Sequence, residues 1–282
     1  CRSLALFFLS QNAQMGYVIL VTGASSGLGK SIALHLHSLG HTVFGTSRNP
    51  KQYIDTFPFT LLELDVTIKE SIAHLFVELQ QLNKPIDVLI NNAGVGITGP
   101  VEETPLEAMR ANFETNFFGP LAMIQGVLPL MRKNKKGTVI NITSIAGYMG
   151  LPFRGAYSAS KGALNIMTEA IRLEIGNQGI NVITLAPGDY ATDIASRRFH
   201  APVINNSPYQ KAYQGSLNTM DSHIDSGNDP IEIAHKVAVL IEQANPRPHY
   251  VVGSFIQKFS LTLKKILPQK AYEKLLKNHY KL

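Results

Sequence analysis

The sequence predicts a doubly wound α/β fold, in which a parallel sheet of about seven strands carries helices on both faces. Short apolar runs rich in Val and Ile alternate with longer segments of helical period. This order favours right-handed crossovers and a parallel sheet. The predicted strands cover residues 17–22, 42–47, 59–64, 87–92, 137–143, 180–186 and 249–253. The predicted helices lie near 28–39, 69–82, 105–133 and 157–178, with another after Pro230.

The chain divides into one large domain with an extension at each end. Residues 15–253 hold the alternating pattern, residues 1–14 precede it, and residues 254–282 continue after the last strand. Within the domain, residues 188–229 show no clear periodicity and follow the carboxyl end of a strand, where open sheets bind ligands. We expect this segment to cover a substrate and to be helical in part; a disordered insertion is the alternative.

The charge and the cysteine content exclude several functional classes. The net charge of +6 arises within residues 249–282, which hold seven Lys and one Glu, so the remainder is neutral and does not suggest a nucleic-acid groove. The single cysteine, Cys1, excludes an internal disulfide framework and is typical of a reducing, cytoplasmic location. The nine histidines show no metal-ligand spacing, so no metal is expected.

The compact apolar run "LALFFL" at residues 4–9 is too short to span a bilayer and lacks a clear cleavage pattern. We therefore expect residues 1–14 to be a loosely attached extension rather than a targeting signal.

A glycine-rich turn follows the first predicted strand. In "TGASSGLGKS", Gly23 lets the chain leave the strand sharply, Gly27 permits close approach of a phosphate, and Gly29 permits close helix–strand packing. Backbone amides at the helix start, around Ser25, Ser26 and Leu28, would then face a diphosphate. An ordinary strand–turn–helix is the alternative, but the position of the turn favours a Rossmann-type dinucleotide site.

The end of the second strand indicates which nicotinamide cofactor is used. An acid there usually binds the ribose 2′-hydroxyl of NAD, whereas an arginine accommodates the 2′-phosphate of NADP. This chain reads "GTSRNP", with Ser47 and Arg48 and no acid. We therefore predict NADP(H), with a merely solvated Arg48 as the alternative.

Tyr157 and Lys161 stand four residues apart in "GAYSASKGAL". This spacing places both side chains on one face of a helix. A lysine cation beside a phenol stabilises the phenolate, which makes the tyrosine a candidate proton donor and acceptor. Because the spacing also arises by chance, other motifs must support this interpretation.

The ordered set of motifs resembles the short-chain dehydrogenase/reductase family, in its single-domain branch. The resemblance spans roughly residues 15–252, and the combination is specific although each piece is weak. Its motifs are "TGASSGLG" (22–29), "LDVT" (64–67), "NNAG" (91–94), "NFFG" (116–119), "ITSIAG" (142–147), "YSASK" (157–161) and "PG" (187–188).

The resemblance implies a role for each of four polar residues. Tyr157 would exchange the proton, Lys161 would assist it and bind the nicotinamide ribose, Ser144 would position the substrate, and Asn116 would organise a relay water. Individually Ser144 could simply end a strand and Asn116 could simply bond a neighbouring carbonyl. Further positions are implied to bind the cofactor: Asp65, Val66, Asn92 and Ala93 towards the adenosine, Pro187, Gly188 and Thr192 at the carboxamide, and Gly94 in addition.

The C-terminal extension has an amphipathic pattern of its own. Ile256, Phe259, Leu263 and Ile266 recur at helical spacing, and a lysine stripe follows Pro268. Such a basic amphipathic helix either packs on its own domain or a partner subunit, which we favour, or makes peripheral contact with an anionic membrane. The stripe consists of Lys270, Lys274, Lys277 and Lys281.

Together these features predict an NADP(H)-dependent carbonyl reductase or secondary alcohol dehydrogenase. The long segment 188–229 and the extension after the last strand resemble those of the family branch that acts on steroids, retinoids or long-chain keto lipids. A 3-oxoacyl-thioester reductase is the enzymatic alternative, and a non-catalytic NADPH sensor or scaffold is the alternative from another class. The resemblance also suggests a dimer or tetramer formed through the 105–133 and 157–178 helices.

Overall fold

The computed structural model describes residues 16–190, 197–202, 204–225, 227–280 and 282. The strands are β1 (Val18–Val21), β2 (Thr42–Ser47), β3 (Thr60–Glu63), β4 (Val88–Asn91), β5 (Ile97–Thr98), β6 (Gly137–Ile142), β7 (Ile180–Pro187), β8 (Phe199–His200) and β9 (His249–Val252). The main sheet has seven parallel strands in the order β3-β2-β1-β4-β6-β7-β9, which confirms the predicted fold class.

Helices cover both faces of this sheet and bury its apolar strands. On one face, Ile32 and Val237 pack in a core with Ile19 and Ile183 of the sheet. On the other face, Leu75 and Val127 pack with Leu89. The helices are α1 (Gly27–Ser38), α2 (Lys69–Gln81), α3 (Leu106–Phe113), α4 (Gly119–Asn134), α5 (Gly155–Glu174), α6 (Gln210–Asp225), α7 (Ile231–Ile241), α8 (Phe255–Ile266) and α9 (Gln269–Tyr280).

The predicted helix 105–133 is not continuous. A π-helical turn, Glu114–Phe118, separates α3 from α4. Pro120 stands in the first turn of α4 and cannot donate a backbone hydrogen bond, so the regular ladder is broken before it. The wider turn contains Asn116, whose side chain is fully buried.

Residues 188–229 contain more regular structure than their sequence indicates. Strand β8 pairs in parallel with β5 to form a second, two-stranded sheet, and α6 follows it. Neither two-residue strand is long enough to produce a recognisable alternation of side chains.

The two C-terminal helices pack on the domain. Tyr272 is buried in a cluster with Ile145 and Met149, and Leu261 and Leu263 of α8 and Leu276 of α9 pack against it. Of the lysine stripe, Lys281 lies outside the described residues. Within the described ranges, no helix combines the length and apolar character needed to cross a bilayer.

Candidate active site

A cleft of about 1440 Å³ opens at the carboxyl ends of the strands. A pocket for one drug-sized ligand is on the order of 300–1,000 Å³, so this cleft can hold a dinucleotide and a second molecule together. Its walls come from the ends of β1, β2, β4, β6 and β7 and from the two C-terminal helices.

The glycine-rich turn has the backbone that its sequence predicts. Gly23 and Gly27 have φ angles of 66° and 54°, in the left-handed region that favours glycine. A Cβ atom on Gly29 would lie 2.3 Å from the side-chain nitrogen of Asn92, so any side chain at position 29 would disrupt the packing beneath the turn. The turn can therefore bring its backbone close to a phosphate.

A threonine holds this turn against the neighbouring strand end. The Thr22 hydroxyl accepts hydrogen bonds of 3.0 Å from the amides of Asn92 and Ala93. The Asn92 side chain in turn donates to the carbonyls of Thr22 and Gly23, at 2.9 and 3.1 Å. The "NNAG" segment thus fixes the shape of the glycine-rich turn as well as lining the cleft.

The predicted adenosine end of the cleft carries one arginine and one aspartate. Arg48 is exposed at the rim directly after β2, next to buried Ser47. Asp65 accepts hydrogen bonds from the backbone and hydroxyl of Thr67, at 2.9 and 2.7 Å, and so shapes the loop after β3.

Tyr157 and Lys161 lie one turn apart on α5 and both line the cleft. Each is buried, with exposed fractions of 7% and 4%. The Lys161 ammonium donates a 2.9 Å hydrogen bond to the Ile142 carbonyl at the end of β6. Burial lowers the pKa of Lys161 from 10.5 to about 8, because desolvation disfavours the charged form.

Ser144 follows β6 and lines the same cleft. Its hydroxyl oxygen accepts a 3.1 Å hydrogen bond from the Ala146 amide, which fixes the side chain while it can still donate its own hydrogen.

Asn116 lies beneath the cleft and clamps one backbone residue. Its side chain accepts from the Val95 amide and donates to the Val95 carbonyl, each at 2.9 Å, and it also donates to Ser160 at 3.2 Å. A Cβ on Gly94 would lie 3.2 Å from the Asn116 oxygen and 3.4 Å from the Lys161 nitrogen. The glycine therefore leaves Asn116 and Lys161 facing the same small space.

The nicotinamide end of the predicted site receives a contact from the C-terminal extension. Pro187 ends β7, and Gly188 follows it in the cleft wall. Gln257 of α8 donates a 2.8 Å hydrogen bond to Asp189, and its amide packs so closely that a Cβ on Gly188 would lie 2.1 Å from it. Thr192 lies outside the described residues.

Nearly all predicted site residues come together in this cleft. Gly29 and Asn116 support it from below rather than lining it. The lining residues among the predicted set are Gly23, Ser25, Ser26, Gly27, Leu28, Ser47, Arg48, Asp65, Val66, Asn92, Ala93, Gly94, Ser144, Tyr157, Lys161, Pro187 and Gly188.

Several cleft residues were not predicted from the sequence. Arg154 precedes α5, and Arg197 donates a 2.9 Å hydrogen bond to the Ser26 hydroxyl in the glycine-rich turn. Gln257 and Tyr280 belong to the C-terminal helices. A capping box spans Ser254 and Gln257, and its S-x-x-Q spacing is the one signal among these that the sequence displays.

Comparison with known proteins identifies the family. A family model described as short chain dehydrogenase matches residues 17–202, which is more than half of the chain. The chain belongs to the short-chain dehydrogenase/reductase family. It is 36% identical over 264 residues to a 3-ketodihydrosphingosine reductase of Bacteroides thetaiotaomicron, and the match covers 93% of this chain and 97% of that relative.

Solved structures of this family have the same fold. A short-chain dehydrogenase of Burkholderia cenocepacia in complex with NADP is 28% identical, with a TM-score of 0.73 over 93% of this chain and 97% of that one. A family member of Burkholderia phymatum in complex with NAD has a TM-score of 0.77 at 21% identity, over 89% and 93% of the two chains.

The chain is therefore an oxidoreductase whose fold binds a nicotinamide cofactor. The residues present fit such a group, because the turn glycines leave room for a diphosphate and Gly94 leaves room beside Lys161. Within the described ranges, His, Cys, Asp and Glu side chains form no cluster of three or more that could hold a metal ion.

Proposed function

We propose that this oxidoreductase uses NADP(H) to interconvert an apolar ketone and the corresponding secondary alcohol. One observation carries the proposal. Tyr157, Lys161 and Ser144 line a single cleft, and leucine, isoleucine and methionine side chains form part of its wall. When bound, the cofactor would supply or accept the hydride, and the protein would supply alignment and the proton.

In this proposal each polar side chain has one task during ketone reduction. The Tyr157 hydroxyl transfers its proton to the carbonyl oxygen, on which negative charge develops. Ser144 donates a hydrogen bond to the same oxygen. The Lys161 ammonium stabilises the phenolate that remains on Tyr157, and Asn116 supports the path by which solvent returns the proton.

The preference for NADP(H) rests on the end of β2. Arg48 is exposed at the cleft rim, and no carboxylate follows β2 in the sequence "SRNP" to repel a 2′-phosphate. The NADP complex of the 28% identical relative is consistent with this choice. A guanidinium on a phosphate makes a charge-assisted hydrogen bond, which contributes about 1.5–3 kcal/mol.

Arg48→Asp should therefore lower kcat/KM with NADPH by about 10- to 100-fold and raise it with NADH. The ratio of the two values, measured with one ketone, checks the expectation. Lys51→Asp is the matched control, because it makes the same charge change on an exposed side chain outside the cleft. An equal effect of both variants would mean that Arg48 acts only through overall charge.

An apolar part of the cleft wall supports the proposed substrate class. This part of the wall includes six apolar side chains on α8, on α9 and in the segment after β6, which give an extended apolar surface. The name of the Bacteroides relative describes a reductase of a long-chain ketone, which agrees with this lining. The six are Ile145, Met149, Leu151, Leu263, Leu275 and Leu276.

For a series of straight-chain ketones, kcat/KM should rise by up to about fourfold per added methylene until the wall is covered, because each buried methylene contributes about 0.8 kcal/mol. Leu275→Gln should flatten this rise for long ketones and leave short ones unchanged. Leu39→Gln is the control, since Leu39 is similarly exposed, 53% against 46%, and lies outside the cleft. A flat series in the unmodified protein would contradict an apolar substrate.

A screen of NADPH oxidation over steroid, retinoid and long-chain ketones, and over 3-oxoacyl thioesters, tests the proposal against its alternatives. Preferred turnover of thioesters would favour the 3-oxoacyl reductase. Tight NADPH binding without turnover of any carbonyl would favour a sensor or scaffold.

A further inference from the structure

Arg154 occupies a position that helix stability does not explain. It is the N-cap residue of α5, where Ser, Thr, Asp or Asn is preferred, and its side chain makes no capping hydrogen bond. A cation at this end of a helix also opposes the positive end of the helix dipole. The arginine must therefore owe its place to something outside the helix.

The backbone before Arg154 is strained and held in place. Phe153 has a φ angle of 56°, in the left-handed region, which is a rare conformation for a bulky side chain. Its carbonyl accepts a 2.9 Å hydrogen bond from the Gly99 amide, and its ring packs 5.3 Å from the ring of Tyr213. These contacts fix the direction in which Arg154 leaves the loop.

That direction brings the guanidinium onto the proposed proton donor. The central carbon of Arg154 lies 5.2 Å from the centre of the Tyr157 ring, within range of a cation–π interaction. Both side chains line the cleft, and Tyr157 is buried. A cation at this distance stabilises a phenolate more than a neutral phenol.

A residue of the C-terminal helix α9 also interacts with the guanidinium. Tyr280 is 6% exposed and lines the cleft near Arg154. Burial raises the pKa of Tyr280, whereas the Arg154 charge and a hydrogen bond from Arg154 lower it. The last turn of α9 is thus linked through Arg154 to the phenol.

We infer that Arg154 is a positioning residue for proton transfer: with Lys161 it stabilises the Tyr157 phenolate, and Tyr280 holds it over the ring. The inference rests on the proposed role of Tyr157. In ketone reduction the O–H bond of Tyr157 breaks as the new alcohol O–H bond forms, the hydride comes from NADPH, and the negative charge left on the phenol faces both cations. The same cleft is also lined, on neighbouring segments, by the charged or titratable side chains of Asp189, Tyr190, Arg198, Tyr272, His279 and Tyr280.

The expected signature is a shift in a pH profile. Reduction needs the protonated phenol, so kcat/KM falls as rising pH removes the proton. Because Arg154 favours the phenolate, Arg154→Gln should move this fall to higher pH by about one unit. NADPH affinity should stay within about twofold, since Arg154 lies outside the glycine-rich turn that would bind the diphosphate.

Arg247→Gln is the matched control. The Arg247 guanidinium lies at the same distance of 5.2 Å from the ring of Tyr250, and neither residue lines the cleft. Its profile should coincide with that of the parent protein. Coincident profiles for Arg154→Gln and the parent, or equal shifts in both variants, would overturn the inference.

Three further measurements keep the test decisive. Arg154→Lys, which retains the charge, should restore the parent profile if the glutamine variant folds poorly. Tyr280→Phe should shift the profile in the same direction by less, and should add nothing in the Arg154→Gln background. Ultraviolet titration of the protein without cofactor, taken as a difference from Tyr157→Phe, should show the phenolate forming at higher pH in Arg154→Gln.

The outcomes separate the inference from the proposed function. Loss of turnover in Tyr157→Phe with an unshifted Arg154→Gln profile refutes the role of Arg154 alone. Turnover that survives in Tyr157→Phe refutes the proton donor itself.

Discussion

Tyr157→Phe should reduce kcat by about 10²–10⁴-fold, because a positioned general acid contributes a factor of this size and phenylalanine offers no proton. The change removes one oxygen from a buried ring that packs with Ile97 and Ala146, so the packing of the ring should persist. NADPH affinity, measured by quenching or enhancement of its fluorescence, should change by less than about threefold, since most of the cofactor contacts lie elsewhere in the cleft. Turnover is followed by the loss of NADPH absorbance.

Tyr17→Phe controls for the loss of a tyrosine hydroxyl as such. Tyr17 immediately precedes β1, away from the cleft, and its hydroxyl donates a 3.3 Å hydrogen bond to the Glu242 carboxylate. This variant should keep the parent kcat. Substantial turnover by Tyr157→Phe, with Tyr17→Phe unchanged, would mean that another group delivers the proton.

The strands of the main sheet could be predicted because the residue pattern of each strand depends on which of its faces are buried. Val18–Val21 and Val88–Asn91 lie in the middle of the sheet with helices on both faces, so all their residues except Asn91 are apolar, without alternation. The seven strands of the main sheet were found in this way. The strand pair β5–β8 was not, because two residues are too few to show a period.

The candidate site was predictable where a strand end and a residue type coincide. Gly23, Asn92 and Ser144 all follow parallel strands, whose carboxyl ends must meet at one edge of the sheet. Arg154 and Tyr280 were missed because their importance depends on contacts between segments distant in sequence. The tail sequence indicated an amphipathic helix but not which surface it would cover.

The same limit explains the interrupted helix at residues 105–133. Helical periodicity continues through the segment, so the sequence alone favours one helix. The π-helical turn becomes necessary only once Asn116 must reach Val95 and Pro120 must pack against the sheet. The π-helical turn lacks the regular backbone hydrogen bonds of an α-helix but places the side chain of Asn116. Such turns are typical of functional positions.

Lys161→Met should abolish most activity and yet stabilise the protein without cofactor. Burial lowers the pKa of Lys161 from 10.5 to about 8, so holding the ammonium charged in the folded state at neutral pH costs about 3 kcal/mol. Methionine has a similar shape and carries no charge, which removes this cost. Methionine cannot donate the hydrogen bond to the Ile142 carbonyl, and this loss destabilises the folded state by about 1 kcal/mol. The free energy of unfolding should therefore rise by about 2 kcal/mol near pH 7.

The pH dependence identifies the cause of that stabilisation. Between about pH 8 and 10.5 the unfolded chain binds the Lys161 proton and the folded chain does not, so the stability of the parent protein should increase across this interval through this group. Below about pH 8 the full cost of the buried charge applies, and above about pH 10.5 this cost disappears. The advantage of Lys161→Met in urea unfolding should therefore shrink from pH 7 to pH 10 and reverse once the lost hydrogen bond dominates.

Lys84→Met is the control for this comparison, because Lys84 is exposed and lies outside the cleft. Its unfolding curves should follow those of the parent at both pH values. A Lys161→Met protein that is less stable than the parent at pH 7 would mean that the ammonium is adequately solvated or paired in the folded state. Stabilisation combined with lost turnover would instead show that the protein tolerates an unfavourable buried cation because the phenol beside it requires one.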